Sequence, residues 1–290
     1  MLSRLRRNKL LLILIDILLR PLLVFLGFTK PTKSQFLLPV SGNYVGELRI
    51  QSLVLLHKYY LKKVGWHESK KYNLPIRDGN HIPWITYSAL EFLLQLNLRE
   101  LKVLEFGSGS STIFFARNSK VVISFEENAL YLEETSKAIL RTNSKVLPIV
   151  PTLKDEIVEY ELNEKHFEYF KRDLEILETE GNFYSKQRDF AKNVISNIMM
   201  NWDSPDLVFI DGGFRNLQML IAASRTNNDL IVVLDNSERE EYKLGILELK
   251  ASGFLEIPFE GLGPLNYYSW RTSFFVKSFN SLSKLLIEVK

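Results

Sequence analysis

The stretch Val103-Leu104-Glu105-Phe106-Gly107-Ser108-Gly109-Ser110-Ser111-Thr112 decides the fold. Its first half is a short apolar run, the mark of a strand buried on both faces. Its second half is a glycine turn that opens directly into a helix beginning near Thr112. Glycines there let the backbone turn tightly and approach a ligand closely. The helix amino end adds free N–H groups and the positive end of a dipole.

Outward from this stretch the same alternation repeats. Apolar runs recur at Val121–Phe125, Val146–Val150, Leu207–Ile210 and Leu230–Leu234, with helical stretches between them. Runs of this kind separated by helices predict a parallel sheet covered on both faces. Phe254–Phe259 and Thr272–Val276 have no helix between them, only a loop around Gly261-Leu262-Gly263-Pro264, so the chain should close on an antiparallel hairpin. The expected fold is α/β: a seven-stranded, mostly parallel, doubly wound sheet with an antiparallel C-terminal hairpin, preceded by an N-terminal hydrophobic helix. A charged insertion, 152–205, separates the third and fourth strands. Phe167, Phe170, Leu174 and Leu177 give it one apolar stripe, which predicts a helix packed on the core or a lid carrying Tyr184.

Toward the amino end, Pro83-Trp84-Ile85-Thr86-Tyr87 opens a helix that runs through Leu98. A polar loop covers 68–81, a helix 47–63, and a Pro/Gly-containing linker 29–46. The domain reading is 1–33 as a basic hydrophobic segment, 34–98 as linker and helical cap, and 99–290 as the catalytic-type sheet domain.

The chain has 290 residues and no cysteine, which excludes disulfide frameworks, thiolate nucleophiles and cysteine-ligated metals. Four scattered histidines argue against a histidine-rich metal cluster. The formal charge of +3 hides an asymmetry: residues 1–33 carry +6 and the remainder −3. No basic, aromatic-interleaved patch lies on the body, so nucleic acid is not an expected partner. The apolar run Leu10–Phe28 is broken by Asp16, Arg20 and Pro21 and follows four cationic residues. That pattern fits a helix lying at a membrane surface better than one spanning it, a cleaved leader or a packed helix. The expected location is the cytoplasmic side, membrane-associated through this segment.

The turn lacks the third glycine of a dinucleotide loop, Thr112 standing there, and it has no P-loop lysine. A nucleoside without phosphates therefore suits it better than a pyrophosphate. Glu105 puts a negative charge beneath the turn, which favours a cationic ligand such as S-adenosylmethionine. Glu126, at the end of the next strand, can accept both ribose hydroxyls, with Glu127 one register away. Asp211 ends the fourth strand and Asp235-Asn236 the fifth, where open α/β sheets place their ligands. Two carboxylates and an amide oxygen are hard ligands suited to Mg²⁺, so Asp211, Asp235 and Asn236 are candidate metal ligands.

Glu105-Phe-Gly-Ser-Gly-Ser-Ser-Thr112, the acid at Glu126, Asp206-Leu-Val-Phe-Ile-Asp211-Gly212 and the closing hairpin together resemble a class I S-adenosylmethionine-dependent methyltransferase over about 99–290. The resemblance implies that Gly107, Ser108 and Gly109 line the cofactor, with Glu105, Ser110 and Asp211 beside them, and that Glu126 holds the ribose. Asp211 and Asp235 are then the candidate catalytic carboxylates, with His81 and Tyr184 as other candidate bases. The acceptor would be a small molecule, lipid or glycan. A nicotinamide-dependent oxidoreductase and a non-catalytic nucleoside-binding or scaffold module are the alternatives. The hairpin loop, read as Gly261–Arg271, crowds Tyr267, Tyr268 and Trp270 with Asn266 and Arg271, which suits either acceptor binding or packing on the insertion.

Overall fold

Seven apolar runs form one sheet in the computed structural model of the chain, and their order is fixed by pairing register. The structure describes residues 56–126, 128–140, 142–148, 162–181, 188–200 and 204–279, with positions 186, 283 and 286. The N-terminal hydrophobic segment, Glu127 and Tyr184 lie outside the described residues. The chain divides into two units, 1–72 and 73–290.

In the first unit, helical turns at Leu56–Tyr60 and Leu61–Lys63 and a helix at Trp66–Tyr72 are joined across Gly65, whose φ is 86°. The polar loop expected from residue 68 is thus partly helix. Glu and Lys, which dominate there, are good helix formers.

In the second unit a two-residue ladder, β1 (Ile76–Arg77) and β2 (Asn80–His81), precedes α1 (Tyr87–Leu93). Strands β3 (Lys102–Phe106), β4 (Val121–Glu126), β5 (Lys145–Pro148), β6 (Leu207–Ile210) and β7 (Ile231–Asp235) are parallel. Strand β9 (Trp270–Val276) inserts antiparallel beside β7, and β8 (Leu255–Gly261) pairs outside it, giving the order β5-β4-β3-β6-β7-β9-β8. This is the Rossmann-like sheet expected from the alternation of runs, with its closing hairpin. The central strands β6 and β7 are almost wholly apolar because helices cover both faces: all four residues of β6 and all five of β7 are buried.

The helices are α2 (Ser110–Asn118), α3 (Ala129–Ile139), α4 (Glu164–Thr179), α5 (Arg188–Met200), α6 (Arg215–Ala223) and α7 (Lys243–Ala251). Every residue of α6 is buried. Its amino end is capped from a distance: the Asp173 carboxylate on α4 accepts from the N–H groups of Asn216 (3.2 Å) and Leu217 (2.8 Å). The insertion's stripe belongs to the core, with Phe170, Leu174 and Leu177 each at most 3% exposed. The ring of Phe170 stacks on Phe214 at 5.2 Å. Burying three such side chains contributes about 1.5–3 kcal/mol each, which makes α4 a structural layer.

The sheet-bearing unit starts at 73, earlier than the boundary drawn at 99. Thr86 explains why. Its N–H donates to Thr272 Oγ1 (3.2 Å), its hydroxyl donates to the Phe259 carbonyl (3.1 Å), and Tyr87 N–H reaches the Leu262 carbonyl (2.8 Å). Residues 83–87 are therefore stitched to the C-terminal hairpin. No helix among the described residues is long and apolar enough to cross a membrane.

Candidate active site

The carboxyl ends of β3, β4, β6 and β7 carry the residues singled out from the sequence. Gly107 is the pivot. Its φ is +92°, and a Cβ there would lie 2.7 Å from Gly212 N and 2.8 Å from the Asp211 carbonyl carbon. Only glycine allows the β3 and β6 turns to touch this closely. A Cβ on Gly109 would meet nothing within 4 Å, so the turn faces open space there.

Two carboxylates hold the turn from opposite sides. Glu126 Oε2 accepts from Ser108 N–H (2.6 Å) and Ser108 Oγ (2.7 Å), while its Oε1 accepts from Asn128 N–H (2.7 Å). Glu126 therefore faces the glycine turn. A carboxylate offers about four acceptor sites, so a fourth is open, and rotation of the Ser108 hydroxyl frees another. Two hydroxyls of a ribose diol need two.

Glu105 sits behind the turn and does not border the cavity. Its Oε2 accepts from Thr112 Oγ1 (2.6 Å), which in turn accepts from Gly109 N–H (2.9 Å). Its Oε1 is buried without a hydrogen-bond partner. Burial pushes this carboxyl up to about 7, although the hydroxyls of Ser111, Ser124 and Thr112 pull the other way. Helix α2 starts at Ser110, two residues before the expected Thr112, because Thr112 serves as the side-chain partner of Gly109 N–H.

A cavity of about 930 Å³ opens over this turn. Residues 107–111 floor it, Glu126, Asn128, Tyr131 and Thr135 form one side, and Asp211, Trp84, His81 and Leu265 the other. Its only charged side chains are Glu126, Glu134 and Asp211, with no Lys or Arg among the described residues that line it. His81 Nδ1 lies 3.0 Å from Ser110 Oγ. Burial, and secondarily the charge of Arg117, hold this imidazole below the usual histidine range.

The trio Asp211, Asp235 and Asn236 surrounds a cation that the sequence reading overlooked, the guanidinium of Arg215. Its Nη1 donates to Asp235 O (2.7 Å) and Asn236 Oδ1 (3.3 Å), and its Nη2 to Asp211 O (3.0 Å) and Oδ1 (3.1 Å). Nε donates to Gly212 O (2.8 Å). Asp235 Oδ1 is further engaged by Trp270 Nε1 (2.9 Å) and Thr272 Oγ1 (2.5 Å). These residues do not fit a divalent ion: the Asp211 and Asn236 side-chain oxygens read as metal ligands already serve a buried side-chain cation, Asp235 Oδ1 serves Trp270 and Thr272, and a second cation would be repelled. The candidate Mg²⁺ site is corrected accordingly. Among the described residues no three His, Asp or Glu side chains converge. Burial pushes the carboxyls of Asp211 and Asp235 upward, each also opposed by the other or by Glu105, and Arg215 restrains both.

Trp270 and Arg271 belong to β9 rather than to the hairpin loop. The Trp270 ring is 4% exposed and passes directly under Gly263. Tyr267 and Tyr268, by contrast, are 76% and 65% exposed, so neither packs away as the structural reading of that loop required.

No protein-family model matches the sequence, and no curated protein matches it. Solved structures of similar fold include an O-methyltransferase from Bacillus cereus in complex with SAH, 18% identical, covering 79% of this chain and 96% of the other at a TM-score of 0.40. The O-methyltransferase TomG from Streptomyces achromogenes, involved in tomaymycin synthesis, is 16% identical over 80% of this chain and 95% of its own, at 0.39. A spermidine synthase from Thermotoga maritima is 13% identical over 66% and 58%, also at 0.39. The reactions of these neighbours differ, so likeness at this level does not assign one, and the fold rests on the strand order itself.

Proposed function

We propose that the chain transfers a methyl group from S-adenosylmethionine to a small-molecule, lipid or glycan acceptor. The observation that carries this reading is the charge of the large cavity: among the described residues three carboxylates and no Lys or Arg border it, with Glu105 buried just behind. The amino end of α2 offers only about half a positive charge. A pyrophosphate or triphosphate would meet net repulsion there, whereas a nucleoside bearing a sulfonium is attracted. The residues fit such a ligand: Glu126 has acceptor sites for a ribose diol, Gly109 leaves open space above the turn, and Glu134 adds negative charge to the lining.

When bound, S-adenosylmethionine supplies an activated methyl carbon, and the protein's part is alignment and proton removal. Asp211 borders both this cavity and a second one, which supports the reading that it receives an acceptor proton. Asp235, held by Trp270, Thr272 and Arg215, fixes the geometry of the neighbouring strand end. No step runs through a metal. We also propose that residues 1–33, with their charge of +6 and apolar run, hold the protein to an anionic membrane surface on the cytoplasmic side.

Calorimetry with S-adenosylmethionine, S-adenosylhomocysteine and NAD⁺ tests the cofactor. Binding of the first two and not the third is expected. NAD⁺ binding with no response to S-adenosylmethionine would refute the assignment. Sedimentation of the full chain with anionic vesicles tests the membrane reading, and recovery entirely in the supernatant would overturn it.

A further inference from the structure

A second cavity, of about 320 Å³, adjoins the first at Asp211 and Trp84, which border both. Its remaining walls come from Asp235 and Asn236 at the end of β7, Arg239 just after, and Asn266, Tyr268 and Trp270 from the closing hairpin. Resting on the methyltransferase reading above, we propose that this cavity is the acceptor site and that it takes one neutral, hydroxyl-rich ring, a sugar unit.

The position comes first. Methyl transfer requires donor and acceptor to meet across a shared wall, and these two cavities share one at the carboxyl end of β6. The lining then selects the chemistry. Two aromatic faces are accessible, Trp84 at 42% and Tyr268 at 65% exposed, and can stack on the C–H face of a ring. The rest is polar: two amides, one guanidinium and two carboxylates. The hydrogen bonds of the two carboxylates fall on one oxygen each, Asp211 Oδ1 and Asp235 Oδ1, and a flat aromatic acceptor would cover the second oxygens without donating to them, at about 1–3 kcal/mol each. A ring carrying several hydroxyls donates to the carboxylates and accepts from the amides.

Charged acceptors fit less well. An anion would meet Asp211 and Asp235, and the lining guanidinium, Arg239, is already paired with Glu180 at 3.1 Å. A cationic acceptor would compete with Arg215, which the Asp211 carboxylate and the Asp235 backbone carbonyl hold. The volume lies near the lower end of ligand cavities, about 300–1,000 Å³, which suits a single ring. In the transfer, a ring hydroxyl oxygen forms a bond to the methyl carbon as the carbon–sulfur bond breaks. The bonding pair stays on sulfur, leaving S-adenosylhomocysteine, and the hydroxyl proton passes to Asp211.

Saturation-transfer NMR on the full-length protein, loaded with S-adenosylhomocysteine, tests this. The probes are the methyl glycosides of glucose, galactose, mannose and rhamnose, with catechol as the flat aromatic comparator. At least one glycoside should show transfer, and Tyr268→Ala and Asn266→Ala should each weaken it at least fivefold with unchanged melting temperature and unchanged S-adenosylhomocysteine affinity. Tyr268 is largely exposed, so its removal leaves the fold intact. UDP-glucose and UDP-galactose form a further arm: tighter binding than the matching methyl glycoside marks a nucleotide-linked sugar, and equal binding a sugar free or within a glycan. Silence from all glycosides and both nucleotide sugars, a response to catechol alone, or a glycoside signal unmoved by both variants each overturns the proposal. Failure of S-adenosylhomocysteine to bind instead overturns the cofactor reading on which it rests.

Discussion

Three glycine substitutions separate the forces that close the two turns onto each other. Gly107 combines a φ of +92° with a Cβ position 2.7 Å from Gly212 N. Gly212 has the reciprocal contact, its Cβ falling 2.7 Å from Gly107 N, without a positive φ. Gly181, just past α4, has a φ of +88° and nothing within 4 Å. Gly181→Ala therefore pays only for left-handed backbone, about 1–2 kcal/mol. Gly212→Ala pays only for crowding, about 1–3 kcal/mol, as the turns part by at least 0.7 Å to lengthen 2.7 Å to the 3.4 Å of ordinary contact. Gly107→Ala pays both, about 2–5 kcal/mol, or about 4–20 °C in Tm at 2–4 °C per kcal/mol. Because the same turn floors the large cavity, S-adenosylhomocysteine affinity should fall at least tenfold in the two crowded variants and not in Gly181→Ala. Differential scanning calorimetry and titration calorimetry read both quantities. If Gly107→Ala melts no lower than Gly181→Ala and binds as wild type, the two turns do not meet as described and the site reading fails with them.

Glu126→Gln keeps the shape but loses an acceptor, so S-adenosylhomocysteine affinity should drop at least tenfold, about 1.4 kcal/mol, by titration calorimetry; unchanged affinity would remove the ribose role. Manganese spectroscopy should find no ion bound by wild type at Asp211 and Asp235, while Arg215→Ala should bind one if it folds; manganese bound by wild type and lost in Asp235→Asn would restore the metal reading. Stability should fall as pH rises from about 4 to about 7, because the buried carboxyls of Glu105 and Asp173 are raised from 4.5 to about 7 and from 3.8 to about 6, so the folded state holds protons that the unfolded state has released. Glu105→Gln should flatten that slope in Tm against pH, and parallel profiles for the two proteins would contradict it.

The sheet was legible because its inner parallel strands, such as β6 and β7, are nearly continuous apolar runs, and burial on both faces permits little else there. The boundaries that were misplaced are those set by partners far along the chain. Residues 83–87 belong with the sheet through bonds from Thr86 to Thr272 and the Phe259 carbonyl, which no local pattern announces. Trp270 reads as a loop aromatic until β9 is seen to start with it, its indole N–H on Asp235. The hairpin at 76–81 is two residues per strand, too short for any periodicity. At the glycine turn, Glu126 ends β4, and its carboxylate accepts from Ser108 N–H, a contact between two strand ends that residue types alone do not fix.

The carboxyl ends of β6 and β7 show why composition alone misjudges a polar cluster. Two carboxylates and an amide at adjacent strand ends ask for a positive charge, and the sequence offers two sources: an absent ion, or Arg215 four residues beyond Asp211. Which one serves depends on how the chain leaves β6. Phe214 adopts a left-handed conformation at φ 60°, held there by its stacking on Phe170, and α6 begins immediately after it, capped by Asp173. Those two contacts come from α4, more than forty residues upstream. They wind the first turn of α6 so that the guanidinium lies beneath both strand ends, where it can hold five oxygens. The helical insertion thus reaches the chemistry without covering it: it supplies the capping that sets α6, α6 supplies the cation, and the cation leaves Asp211 facing both cavities.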